Sequence, residues 1–448
     1  MAHRAIKVFT ASKLPKETGL SAWVAMLPPR IERPSLDGDL AVDIAIIGAG
    51  FAGLAAARRL SQLDPRLGVA VLEAGVIGEG TAGRNSGFII DVPHEVSSDD
   101  YGGDGLGHAA RDLAIHRRAI ELVTEMVDEF DWGHDIVDPC GKYNIALSAE
   151  GDRHVSAYAA QLKNLGESCQ LLDAKETAAL TGSAAFTSAL FTPGTLMIQP
   201  AAFIRAFADA LKDPVRIFER TPALSIEGGE NGWLVKTPRG FVSARKIIMA
   251  NNGHAQSFGF FQGRLLHVFT YASMTEEFDP SRLGGHRKWA ATPASPMGTT
   301  MRRVQWQRGD RMLIRSRYTY NPSMTVGERD VSSAGALHDR KFSYRFPSLA
   351  GVKMEYRWAG AMALTWNSVP AFGELEPGIF AACGCNGLGA SNATASGIAA
   401  AESVLGVNTP LTQIYASYAK PTALPPQPLT TIGAKVSLTV KEWRAGVE

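Results

Sequence analysis

Three glycines, Gly48, Gly50 and Gly53, stand at the spacing G-x-G-x-x-G inside DIAIIGAGFAGLAAARRL. That spacing suits a phosphate cradle. Gly48 permits a tight turn, Gly50 lets the backbone approach a pyrophosphate, and Gly53 lets a following helix pack closely on its strand. Free N–H groups at the helix start, aided by the helix dipole, would hold the phosphates. Glu73 lies 20 residues beyond Gly53, where a carboxylate accepts bonds from ribose hydroxyls and repels a 2′-phosphate. NADP is thereby disfavoured, while NAD and FAD both remain open. A second group of residues is MRRVQWQRGDRMLIRSRYTY, residues 301–320, with Arg302, Arg303, Arg308, Arg311, Arg315, Arg317, Tyr318 and Tyr320. An inward arginine there would fork onto a substrate carboxylate. Alternate residues of a strand share a face, so only some of the six can do so.

The elements that must position these groups are readable on either side. LAVDIAII, residues 40–47, is a β-branched apolar run that predicts a buried parallel strand. Residues 51–63 turn helical around an Ala-rich face, and GVAVLEAG predicts a second strand ending at Glu73. Strand, glycine turn and helix form the context that the motif requires. The next segment, GEGTAGRNSGFI (78–89), is a glycine-rich loop with Arg84 and Asn85, where a simple NAD domain would continue with another strand and helix.

At this loop the sequence resembles the FAD-dependent D-amino-acid oxidase and glycine/sarcosine oxidase family (DAO-type). It is most similar to the branch around γ-glutamylputrescine oxidoreductase, whose loop reads G-W-G-A-S-G-R-N-G-G. Ala82 stands where that branch has serine, with Thr81 beside it as the alternative hydroxyl. Two later blocks, MIQPAAFIRAFADAL with VRIFERTPALSIEGGENGWLVKTPRGFVSARKIIMANNGHA, and RWAGAMALTWNSVPAFGEL with GIFAACGCNGLGASNATASGIAAAESVLG, follow in the family's order over roughly residues 40–420. The resemblance implies an α/β (α+β overall) architecture: a Rossmann-like FAD-binding domain of the glutathione-reductase-2 type beside an antiparallel-sheet substrate domain with helices. It implies noncovalent FAD, because AGAMALTW carries no counterpart of the sarcosine-oxidase flavin cysteine. Cys383 and Cys385 read as small core residues.

The cofactor contacts so implied are Gly48, Gly50, Phe51, Ala52 and Gly53 in the cradle, with Glu73 and Ala74 on the second strand. Gly80, Thr81, Ala82, Arg84, Asn85, Ser86 and Gly87 belong to the loop. Ala223 falls near the adenine, and Ala250 and Asn251 near the pyrophosphate. Gly384, Asn386, Gly387, Leu388, Gly389, Ala390 and Ser391 form a final glycine loop leading into a helix whose N–H groups face the flavin pyrimidine carbonyls. The resemblance makes Arg303 the first choice for a substrate carboxylate, with Arg302, Tyr271, His267, Arg315 and Tyr318 as further substrate candidates. Relatives often carry glycines where this chain has Arg315 and Ser316, which points to an anionic group near the site. The implied reaction is oxidation of the C–N bond of an amine, amino acid or imino acid, with electrons passing to O2 or another acceptor. Such chemistry needs an unprotonated nitrogen and a C–H aimed at the flavin, so positioning and desolvation are its main demands. An NAD-dependent dehydrogenase and a flavoprotein with a structural or redox-partner role are the rival readings.

The FAD domain is expected from 38–95, 196–256 and 350–420, and the substrate domain from 96–195 and 257–349, mostly helical over 105–182 and antiparallel over 256–345. Residues 1–37 read as an extension. The tail 421–448, Pro-rich and then apolar-periodic, is expected to pack or to make a subunit contact, so an oligomer is possible. Across 448 residues Lys and Arg total 45 against 44 Asp and Glu, and no global field favours nucleic acid or a membrane. Four cysteines make no disulfide framework, and the start lacks an apolar targeting core. These features predict a cytoplasmic protein with no integral membrane segment.

Overall fold

The computed structural model describes residues 6–92, 105–229 and 232–448. Leu40–Ile47 is the central strand of a nine-stranded sheet, as its β-branched run predicts. It pairs in parallel with Val69–Leu72 on one side and with Gly240–Met249 on the other. Val215–Phe218 extends the sheet beyond Val69–Leu72. Ile379–Cys383 joins Gly240–Met249 in parallel through Ile247↔Ile379, and the antiparallel strands Gly232–Thr237 and Ser225–Gly229 complete that side. One face is covered by the helices Phe51–Leu63, Pro200–Ala210, Gly105–Phe130 and Gly389–Val404. Trp233, Ile226, Phe258 and Phe260 pack on the other face.

A second, eight-stranded sheet runs Met354–Thr365, Leu265–Thr275, Gly309–Tyr320, Thr300–Trp306, Trp289–Pro293, Lys142–Ala146, Ser188–Thr192 and Gln170–Leu172. All its pairings are antiparallel except Trp289–Pro293 with Lys142–Ala146. Helix Glu328–Arg345 lies on one face, where its Phe342 and the following Phe346 join Met312 and Ile314 in one apolar cluster. The opposite face carries Leu313, Ala272 and Met274 with Trp23 and Trp358.

Three segments differ from the sequence expectation. Met354–Thr365 pairs with Leu265–Thr275, so the start of the expected 350–420 cofactor piece belongs to the second sheet. Residues 328–345, expected within an antiparallel region, are helical, with Asp330 accepting from the Gly327 N–H at the start. The described part of the extension, residues 6–37, is built into the fold: Lys7–Thr10 adds an edge strand beside Ser225–Gly229, and Trp23 is fully buried. The tail forms a helix, Leu429–Ala445. The boundary expected at 95/96 lies outside the described residues.

Candidate active site

Helix Phe51–Leu63 begins at Gly50 with no side-chain cap. Its first N–H groups are therefore available to an anion. Gly48 has φ +106°, and a Cβ on it would lie 2.8 Å from the Ala250 carbonyl oxygen. A Cβ on Gly53 would stand 1.8 Å from the Gly48 carbonyl oxygen, whereas the nearest atom to one on Gly50 is Ala82 Cβ at 3.5 Å. Two of the glycines are thus demanded by the protein itself, and Gly50 keeps an open floor. The Glu73 carboxylate accepts from the Ala49 and Gly75 N–H groups, both at 2.9 Å. Burial raises its pKa, and these bonds oppose the rise. The Thr221 N–H donates to the Glu73 carbonyl at 2.8 Å, which sets buried Ala223 beside the same strand end.

A second uncapped helix start, Gly389–Val404 with Leu388 at its head, comes from the final glycine loop. This helix crosses the first so closely that a Cβ on Gly397 would lie 2.1 Å from the Ala52 carbonyl oxygen. Eight residues back along it, roughly 12 Å of rise, is its open N-terminus. Gly384, Asn386 and Gly387 have φ of +68°, +47° and +87°. The polar side chains here shape the loop. Asn386 accepts from the Thr365 N–H (2.8 Å) and donates to the Val369 carbonyl (2.9 Å). Ser391 donates to the Ile90 carbonyl (2.7 Å), and Gly384 N–H to Asn252 Oδ1 (3.0 Å). Asn392 donates to the Cys385 carbonyl (3.1 Å) and meets His116 at 3.0 Å.

The 80–87 loop shows the same division of labour. Arg84, expected to face the cofactor, is turned into the protein, where it donates to the Ala359 (2.8 Å), Thr18 (2.6 Å) and Gly19 (2.5 Å) carbonyls and pairs with Glu17 at 3.1 Å. Asn85 bridges its own turn, donating to the Ala82 carbonyl (2.6 Å) and accepting from the Gly87 N–H (2.8 Å). The indoles of Trp23 and Trp358 donate to the Asn85 and Arg84 carbonyls, each at 2.8 Å. Thr81, Ala82 and Gly83 make a single 3-10 turn, and Gly80 has open space around it. Ser86 and Gly87 rest on Arg302.

The arginine hairpin splits by strand parity. Cross-strand partners share a face. The pairs are Arg302↔Leu313, Arg303↔Met312, Thr300↔Arg315, Ala272↔Arg315, Tyr271↔Ser316 and Thr270↔Tyr318. Ala272 in turn opposes Trp358, and Thr270 opposes Gly360, whose missing Cβ would lie 3.9 Å from Arg84 Cβ. Arg302, Arg315, Thr270 and Tyr318 therefore share the face turned to the 80–87 loop. Arg303 and Tyr271 are on the other.

Arg303, the first choice from sequence, is committed there. Its buried guanidinium bonds the Asp310 carboxylate (2.9 and 2.7 Å), the Gly284 carbonyl (2.7 Å) and the Pro280 carbonyl (3.3 Å). Tyr271 packs under helix Glu328–Arg345 with Phe269, Val331 and Ala334, its hydroxyl 2.7 Å from Thr319 Oγ1. His267 abuts Gly253, with Nε2 3.3 Å from Gln256 Oε1, and burial pulls its pKa down to about 4. Arg302 donates to the Ile198 carbonyl (2.5 Å) and more weakly to that of Ser86 (3.4 Å), with its guanidinium 5.0 Å from the Trp23 ring. Burial lowers its pKa to about 10, so it remains a cation at neutral pH.

Arg315 is different. It is half-buried, its guanidinium lies 4.9 Å over the Tyr318 ring, and among the described residues no acceptor bonds it. Across from Tyr318, the Thr270 hydroxyl is buried with no hydrogen-bond partner among the described residues. Sequence reasoning missed Thr270, Glu17, Trp23, Trp358 and His116. None stands in a recognisable spacing, and only the RWAG stretch drew attention to Trp358.

Two open helix starts, a glycine floor and loops whose side chains are occupied elsewhere leave backbone N–H groups for an extended dinucleotide, and FAD fits that arrangement. The class so defined is an FAD-dependent oxidoreductase. Residues 43–403 match the sequence pattern of the DAO family, described as FAD dependent oxidoreductase, and the chain belongs to that family. It is 26% identical over 381 residues to the probable oxidoreductase OrdL of Haemophilus influenzae, covering 81% of this chain and 83% of the relative. It is also 26% identical over 367 residues to γ-glutamylputrescine oxidoreductase of Escherichia coli, covering 79% and 82%. Among solved structures, glycine oxidase from Geobacillus kaustophilus superposes with a TM-score of 0.67 at 19% identity, over 83% of this chain and 96% of the other. L-amino acid deaminase from Proteus vulgaris gives 0.66 at 18%, over 86% and 98%. These likenesses show the fold. The chain is an FAD-dependent enzyme.

Proposed function

We propose that this enzyme oxidises the C–N bond of a carboxylate-bearing amine, amino acid or imino acid, and that Arg315 binds the carboxylate. The observation that carries the reading is Arg315 itself, a half-buried cation with no acceptor among the described residues, on the face turned to the 80–87 loop. A guanidinium so placed has its fork of donors free for two carboxylate oxygens. Tyr318 holds its plane by stacking, and the Thr270 hydroxyl is placed to accept or donate a further bond.

When bound, FAD supplies a hydride acceptor for the carbon bearing the nitrogen, and the resulting imine hydrolyses to an aldehyde or oxo acid. The protein's part is to bind, orient and set protonation. Arg302 and Arg315 on one face disfavour an ammonium beside them, which promotes the neutral amine. That face presents guanidinium and hydroxyl groups, which serve orientation and charge.

The test is the anaerobic visible spectrum of the FAD-loaded protein with pools of amines, amino acids and imino acids. A carboxylate-bearing substrate should bleach the flavin, and Arg315→Gln should raise its KM by about 10- to 100-fold. If no pool bleaches it, or if Arg315→Gln binds the substrate as tightly as the parent, the assignment fails.

A further inference from the structure

The 17-residue helix Leu429–Ala445 has two faces of different character. One is docked on the protein: Thr430 and Ala445 are buried, Ala434 and Leu438 are half-buried, and Glu442 reaches Arg317 at 3.4 Å. On the other side Leu429, Ile432, Val436, Val440 and Trp443 are 60%, 56%, 56%, 39% and 80% exposed. At 3.6 residues per turn these five fall within an arc of about 80°, a continuous apolar stripe pointing away from the docked face. Lys435 borders it on one edge and Arg444 on the other, both exposed, while exposed Lys441 lies farther round towards the docked side. The helix's single acid, Glu442, is on the docked side.

We propose that this face is a lipid-surface site that lies in the plane of an anionic bilayer, its stripe in the headgroup–acyl boundary. A solvent-facing helix side is ordinarily polar, and a contiguous apolar patch ending in a tryptophan marks an interaction surface. The two flanking cations, with the helix's one acid turned to Arg317, match lipid phosphates, and the combination of apolar stripe and basic rim is the pattern of an in-plane amphipathic helix. A second copy is a poorer occupant. One helix stripe falls short of the roughly 800 Å² per partner of a stable interface. Pairing two such faces would also bring their cations together with no acid to offset them. Among the described residues no helix is long and apolar enough to cross a membrane, so the contact is peripheral.

The experiment is flotation of the FAD-loaded full chain with vesicles of phosphatidylcholine alone or with about 30% phosphatidylglycerol. Binding should favour the anionic vesicles and weaken at high salt. The exposed double substitution Ile432→Glu with Val440→Glu should keep the flavin spectrum and lower partitioning by at least about tenfold. No binding to either vesicle, or equal binding by parent and variant, overturns the proposal. So does a parent that sediments as a dimer which the same substitutions split, since the stripe is then a subunit contact.

Discussion

Gly50→Ala and Gly53→Ala should fail in different ways, although both alter one motif. At Gly53 the added methyl would sit 1.8 Å from the Gly48 carbonyl oxygen and 3.3 Å from Ile46 Cγ2. The Gly48 carbonyl cannot retreat without lifting helix Phe51–Leu63 off the strand Leu40–Ile47. Overpacking of a rigid contact costs about 1–3 kcal/mol, and a clash this deep belongs at or above the upper end. At Gly50 the backbone has φ −88° and ψ −165°, which alanine adopts freely, and the nearest atom is 3.5 Å away. The apoprotein should therefore hold its stability within about 0.5 kcal/mol. The methyl would instead occupy the floor over which the pyrophosphate passes, and FAD affinity should fall by about 10- to 100-fold as phosphate-to-backbone bonds are lost. Urea unfolding of both apoproteins and titration of FAD by flavin fluorescence separate the two effects. A Gly50→Ala protein that binds FAD normally, or one as destabilised as Gly53→Ala, would refute the cradle geometry.

Other substitutions test the neighbouring assignments. Arg303→Gln leaves Asp310 short of its buried partner, with Arg287 at 2.8 Å as the remaining cation, and should cost about 3–5 kcal/mol of stability in urea without raising the substrate KM of the folded fraction. Burial holds the His338 pKa at about 3 and that of His267 at about 4. The unfolded state binds more protons than the native one between those values and about 6.5, so the stabilisation is complete above pH 6.5 and is lost as pH falls. Each histidine should weaken the fold by about 2 kcal/mol between pH 7 and 5, and His338→Gln, able to keep a bond to Ser273 Oγ (2.7 Å in the parent), should flatten that dependence. An unchanged slope of unfolding free energy against pH would contradict the assignment. Acid precipitation should release all the flavin into the supernatant. Cys383 is fully enclosed, with its thiol pushed up to about 12, and is no nucleophile. Colour retained in the pellet would show a covalent link.

The cradle was legible in the sequence because its constraints are local. A β-branched run, glycines that no Cβ can replace, and an acid one strand later each leave a mark on residue type. The order of the sheets was legible only through resemblance. Parity within the hairpin was not readable, because Arg302, Arg303 and Arg315 differ only in which side of a pleat they occupy. The bulge between Thr270 and Tyr271 adds a further residue opposite, Arg317 at φ +63°, so that counting by twos from either end of the strand gives different answers. Helix Glu328–Arg345 was missed for a related reason. Its polar sequence has a weak apolar period, and it is held by buried contacts of Val331, Ala334, His338 and Phe342 with a sheet that the sequence does not show.

The side chains of the cofactor loops carry a further lesson about what such motifs encode. Arg84, Asn85, Asn386 and Ser391 were expected as ligands, and each spends its hydrogen bonds on protein carbonyls or amides. Arg84 ties the 80–87 loop to Thr18, Gly19 and Ala359, three residues from two distant parts of the chain. Replacing it by lysine would keep the charge beside Glu17 but could not span all three carbonyls. The loop would lose its fixed path, and with it the alignment of N–H groups that a flexible loop cannot maintain. Arg84→Lys should therefore weaken FAD binding even though the Arg84 Nε and Nη2 donors are turned to protein carbonyls, and imposing the loop's path by other means should restore it. If FAD affinity follows the loop's path in this way, its recognition rests on backbone N–H groups that the polar side chains of the motifs hold in place.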